Sequence, residues 1–222
     1  MPASSDKGDT KEQHKARDHL RRIDGGLAAI IEEHGLVDPY TWSGVPLERG
    51  DLLGGLALHI VAQQISTVAA LSIYGRLIEL LGGGRVDPTK LGAKTPEEIR
   101  AVGVSNAKAR ALQELGARIA SDDFDLNGLE NSEDEDAYEA LVSLRGIGPW
   151  SANMYMLHEL RRPDVFPAGD IGLRKAIALL DGAEEAVAIE AAEARAEQWS
   201  PYRSYAAAYL WSFLHDAPEP AV

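Results

Sequence analysis

From residue 17 to residue 215 apolar residues recur at helical spacing, and no run of β-branched residues alternates with polar ones. A chain patterned this way folds as an all-α protein. The boundaries of the helices are also marked. Asp24 stands where it caps 25-GGLAAIIEEHG-35, and Gly35 is a stop. The segments 51-DLLGGLALHIVAQQ-64 and 66-STVAALSIYGRLIELL-81 are apolar on broad faces, as suits helices in the middle of a domain. Thr95, Pro96 and Glu98 form a capping box, Gly103 ends that short helix, and Ser105 caps 106-NAKARALQELGARIA-120. An acidic loop leads to 136-DAYEALVSL-144, a turn, and 150-WSANMYMLHEL-160. Asp170 opens 171-IGLRKAIALL-180, and Ser200 with Pro201 opens the last helix, 201-PYRSYAAAYLWSFLH-215. Residues 1–16 carry no apolar stripe and read as a disordered tail, which leaves 17–222 as the folded region.

Composition excludes several chemistries. There is no cysteine, so disulfides, thiol nucleophiles, thiolate zinc sites and cysteine-held iron–sulfur clusters are ruled out. No run approaches the ~20 apolar residues that a membrane helix needs, and the first residues lack the apolar core of a secretory signal; a cytoplasmic protein is expected. The histidines show no metal-ligand spacing. The net charge of −13 argues on its face against a polyanionic partner, yet it is concentrated. Residues 121–140 hold nine acids and no Lys or Arg, and residues 181–199 hold six acids and one Arg. Both read as solvated surface, and what remains is close to neutral, so charge alone neither makes nor excludes a nucleic-acid contact.

The stretch 144-LRGIGPWSANMYML-157 joins two helices through a Gly-x-Gly turn. Glycines permit positive φ and close backbone approach. The N–H groups at the start of the second helix then suit phosphate oxygens, aided by the helix dipole. A tight turn between packed helices explains the glycines equally well. Twenty residues past Trp150 comes 166-FPAGDIGLRKA-176, an aspartate at a helix start behind a Pro-Gly loop.

Taken together, 141-LVSLRGIGPWSA-152 and 164-DVFPAGDIGL-173 resemble the helix-hairpin-helix DNA glycosylase superfamily. The segments 60-IVAQQISTVAA-70 and 199-WSPYRSYAAAYLW-211 are similar to its 3-methyladenine DNA glycosylase II branch. The resemblance spans about residues 17–215, with nothing matching the N-terminal β-domain of longer members. It implies a bilobal helical domain with a cleft between the lobes, acting as a monomer on double-stranded DNA that contains damaged bases. By position, Asp170 is the catalytic carboxylate. Trp150 stands where bifunctional members carry a lysine, so no amine is available for Schiff-base chemistry, and a monofunctional enzyme is implied.

Oxocarbenium-like charge develops on the sugar as an N-glycosidic bond breaks, and an ionised Asp170 opposes it and orients water. An alkylated purine is already cationic and leaves neutral, so no general acid is required. Trp150, Trp211, Tyr155 and Tyr202, with Gln63 and Gln64, are the expected pocket for a flipped base. Gly146, Gly148 and Ser151 are phosphate candidates. Asn106 is the positional match for the residue that fills the gap left by the flipped base, with Val104 the apolar alternative, and Lys108 and Arg110 are nearby phosphate candidates. The resemblance further implies Na+ or K+ held by the carbonyls of Val142, Leu144 and Ile147, and no other cofactor. Two alternatives stand beside alkylated purines: another lesion (hypoxanthine, ethenoadenine or an oxidised base), or a hairpin module that binds DNA without catalysis.

Overall fold

A computed structural model describes residues 7–41, 45 and 47–216. Twelve α-helices follow in order: α1 (Lys7–Ile23), α2 (Gly25–His34), α3 (Leu52–Ala62), α4 (Thr67–Leu80), α5 (Pro88–Ala93), α6 (Pro96–Arg100), α7 (Asn106–Ala120), α8 (Asp134–Val142), α9 (Pro149–His158), α10 (Ile171–Leu180), α11 (Ile189–Ala196) and α12 (Arg203–Asp216). No strand forms among the described residues, so the fold is all-α. The chain divides into two compact units. One joins Met1–Thr41 to Arg162–Val222, and the other is the continuous stretch Trp42–Arg161.

In the first unit, α1, α2, α10, α11 and α12 surround a core built on Leu20, Leu27, Ile30, Leu173, Ile177 and Trp199. Its polar centre is Asp24. The carboxylate is 6% exposed, caps α2 through the N–H groups of Gly26 and Leu27, accepts the indole N–H of Trp199 at 2.8 Å, and pairs with Arg195 at 2.8 Å. Burial alone would raise its pKa. The bonds from Trp199 and Leu27 and the charge of Arg195 outweigh that and hold it below the ordinary carboxylate value.

In the second unit α3 is the central helix, with every residue from Leu52 to Val61 buried. Thr95 and Glu98 complete the capping box of α6, and Ser105 caps α7. α8 and α9 pack against each other as the two arms of the hairpin, and α9 also packs on α3. Where α9 meets α3, the His59 and His158 rings stack at 5.8 Å. Burial, then the neighbouring His59, pushes the pKa of His158 down to about 3. His59 is buried and His158 half-buried at this contact.

Three boundaries depart from the sequence reading. α1 begins at Lys7, inside the stretch expected to be a tail. Ala16 and Leu20, one turn apart, are fully buried, and with Ile23 packed against the same core they anchor an otherwise charged helix; residues 1–6 lie outside the described residues. α8 begins at Asp134, with three acids in its first turn where the helix dipole favours them. α12 opens at Arg203 rather than Pro201, because Asp164 accepts the Arg203 N–H at 3.2 Å and the Ser200 hydroxyl at 2.8 Å.

Candidate active site

Asp170 belongs to the first unit. Its backbone is extended, and its Oδ1 accepts the N–H of Leu173 at 3.0 Å, which caps α10. The same oxygen accepts the indole N–H of Trp211 from α12 at 3.2 Å. Asp170 is half-exposed and Trp211 is partly buried against the unit's core. Two donors on one oxygen fix the carboxylate plane. Gly172 makes this pairing possible: a Cβ there would come within 2.9 Å of Asp170 Oδ1 and 3.3 Å of Leu214. Tyr202 also lies in this unit, half-buried and edge-on to His19 and Tyr205. Trp199, Tyr205 and Tyr209 are buried in the core.

The hairpin belongs to the second unit. Gly146 has φ +82°, a conformation that L side chains rarely adopt, and a Cβ on it would stand 3.1 Å from that of Ala111. Gly148 is the N-cap of α9, and no side chain caps that helix start. Its first-turn N–H groups are thus left to an outside acceptor or to water. Trp150, the second residue of α9, is 38% exposed.

Several proposed contacts change meaning. Ser151 is buried, and its hydroxyl accepts from Gln63 Nε2 at 3.1 Å, so its side chain faces inward and does not meet phosphate. Gln63 also donates to the Gly146 carbonyl at 2.7 Å and is engaged with the hairpin instead of presenting its amide to a base. Lys108 donates to the carbonyls of Val61 and Gln63 at 2.9 and 2.6 Å. It completes the C-terminus of α3, where its charge complements the dipole, and burial pushes its pKa down. Tyr155 has no exposed surface; its hydroxyl donates to the Leu52 carbonyl at 3.0 Å and its ring meets His59 edge-on. It cannot offer a face to a base. Val104 is buried, which removes it as a wedge, whereas Asn106 and Arg110 are exposed on α7.

The carbonyls of Val142, Leu144 and Ile147 lie in and beside the turn. That of Leu144 accepts the Ile147 N–H at 3.1 Å, which leaves its second lone pair for a cation. Among the described residues no cluster of His, Asp and Glu could hold a metal.

The sequence reading missed the character of the loop after α3. Gln64 is exposed with φ +59°, and Ile65 and Val68 are exposed apolar side chains. A non-glycine residue held at positive φ is costly and clusters at functional sites. The sequence hint was the apolar Ile65 outside the helical period, between Gln64 and the cap Ser66.

A profile of the HhH-GPD superfamily of base excision DNA repair proteins matches residues 58–201, a span that takes in both the hairpin and Asp170. A DNA-3-methyladenine glycosylase of Saccharomyces cerevisiae is 33% identical over 72% of this chain. One of Bacillus subtilis is 28% identical over 78% of it. The chain spans 57% and 59% of the length of these two proteins. Among solved structures, a DNA-3-methyladenine glycosidase of Bacillus halodurans superposes with a TM-score of 0.77 at 30% identity, over 90% of this chain and 89% of that one. A Schizosaccharomyces pombe 3-methyladenine DNA glycosylase in complex with abasic DNA gives 0.76 at 26% identity, over 92% and 100%.

Proposed function

Because the chain belongs to the HhH-GPD superfamily of base excision DNA repair proteins, we propose that it is a monofunctional DNA glycosylase that releases alkylated purines, 3-methyladenine first and 7-methylguanine second, from double-stranded DNA. The observation that carries this reading is Asp170, half-exposed at the start of α10 with Oδ1 held by Leu173 N–H and Trp211 Nε1. As the C1′–N bond breaks, its electron pair goes to the base and positive charge appears on the deoxyribose. The fixed carboxylate opposes that charge without reorganising, then accepts the proton of the water that attacks C1′. A base alkylated on a ring nitrogen leaves neutral, so the reaction needs no acid.

Trp211 and Tyr202, in the unit that carries Asp170, supply aromatic surface for the flipped, electron-poor base. With Trp150 following the hairpin turn, no lysine amine stands at that position, and the product is an intact strand carrying an abasic site. The N–H groups at the start of α9 take a DNA phosphate; the carbonyls of Val142, Leu144 and Ile147 would hold Na+ or K+, which would add positive charge beside that contact. We assign the plugging of the vacated stack to the α3–α4 loop, with Gln64 displayed at positive φ beside exposed Ile65. The protein acts as a monomer on chromosomal DNA in the cytoplasm; no helix among the described residues is long and apolar enough to cross a membrane.

The test is incubation with methylated duplex DNA and mass spectrometry of the released bases, with strand scission scored before alkali. The reading requires 3-methyladenine in the supernatant and no scission. Release of hypoxanthine, ethenoadenine or an oxidised base instead would reassign the substrate. DNA binding with no release at all would leave only a binding module.

A further inference from the structure

The end of α3, the hairpin turn and the start of α7 converge on one glutamine. The Gln63 amide donates to the Gly146 carbonyl at 2.7 Å and the Ser151 hydroxyl at 3.1 Å. The main-chain carbonyl of Gln63 accepts from Lys108 Nζ at 2.6 Å. These bonds reach the turn at both ends, one in the left-handed glycine and one in the first turn of α9. The turn is also packed on this side, with Gly146 close against Ala111 and Ile147 buried. Behind it lies a cavity of about 200 Å³, lined by Ile60, Ala107, Ala111 and Arg145 together with Gln63 and Gly146. Arg145 is drawn to Glu114, at 2.7 Å.

We propose that Gln63, seated by Lys108, is a positioning residue for the phosphate-binding hairpin: its two hydrogen bonds set the direction in which the N–H groups of Gly148 and the first turn of α9 point. This rests on the DNA-binding reading above. The Gly146 carbonyl and the Ser151 hydroxyl are the acceptors of the turn that would otherwise seek water or cap α9 locally. With both satisfied from inside, neither competes for the first-turn N–H groups of α9, which stay available to an anion.

Gln63→Met keeps the length and neutrality of the side chain and removes both donors, and Gln63→Ala serves if the first variant folds poorly. Hydrogen exchange in the free protein reads the brace without DNA: the amides of Ile147 and Ala152 should exchange at least several-fold faster in the variant. Binding to undamaged duplex should weaken roughly tenfold. Its dependence on salt should lose about one phosphate contact, a slope change near 0.9 in log K against log salt, while single-turnover base release at saturating DNA stays as in the parent. Unchanged exchange at the turn overturns the proposal. So does an unchanged salt slope, whether alone or with a slower release step, the latter placing Gln63 against the base. If the parent protein binds no DNA, it is the functional reading that fails, and the exchange experiment still decides the brace.

Discussion

Replacing Asp170 by Asn separates the two tasks that one side chain performs. Oδ1 accepts from Leu173 N–H at 3.0 Å and Trp211 Nε1 at 3.2 Å. An Asn oxygen in the same place keeps both bonds, and Asn caps helices about as well as Asp. The folding cost is then the loss of charge at a helix start, about 0.3–1 kcal/mol, or a Tm change of at most about 4 °C for a chain of this size. Catalysis loses the charge that faces the sugar cation. By analogy with removal of one preorganised electrostatic group, that is about 3–4 kcal/mol, a 10²–10³-fold fall in base release. Asp170→Ala should be equally inactive but clearly less stable, because the cap disappears and Trp211 Nε1 loses its acceptor, together about 2–3 kcal/mol. The assay is single-turnover release from methylated duplex with enzyme in excess, alongside anisotropy on an abasic-analogue duplex and thermal unfolding. Release by the Asn variant within tenfold of the parent would refute the charge argument. Equal stability of the Asn and Ala variants would refute the assignment of Oδ1.

Three further outcomes follow from the geometry. His158, with its pKa pushed down to about 3 in the folded protein against 6.5 when unfolded, stays neutral inside while the unfolded chain takes up a proton. Stability is therefore fully present above pH 6.5 and falls toward pH 3, by up to tenfold in the unfolding constant per pH unit for this group; urea titrations of His158→Phe should show a shallower acid limb. Gln64→Ala and Ile65→Ala should each lower the flipped fraction in a duplex reporting through 2-aminopurine fluorescence, while Asn106→Ala leaves it unchanged; the reverse pattern would return the wedge to α7. Gly146→Ala places a Cβ at φ +82° and 3.1 Å from Ala111, costing about 1–2 kcal/mol, and should weaken binding to damaged and undamaged duplex alike without altering single-turnover release.

Features governed by neighbours in sequence were legible before the structure. Asp24, Thr95, Ser105 and Asp170 cap their helices through residues two or three positions on, so their roles are written locally. Roles set by distant partners were not. Gln63 is 83 residues from Gly146 and 88 from Ser151, and an amide at the end of an apolar helix gives no hint of where it will bond. Tyr155 was misassigned because α9 is apolar on most of its faces, and periodicity cannot say which of its aromatic residues turns inward. The first half of α1 reads as tail because it buries Ala16 alone before Leu20 and Ile23 reach the core, too sparse a stripe to detect among so many charges. Lys108 reads as an ordinary surface cation until the open end of α3 is seen beside it.

The unit that carries Asp170 is assembled from the two extremities of the chain, with the hairpin unit inserted as one uninterrupted stretch. Its central hydrogen bond, from Trp199 to Asp24, closes a gap of 175 residues. On the ribosome the inserted unit can mature while α11 and α12 are still being translated, but α1 and α2 must wait for them. A chain interrupted between Arg161 and Trp199 would therefore keep the hairpin unit whole while lacking the indole that holds Asp24 in the core of the unit that carries Asp170.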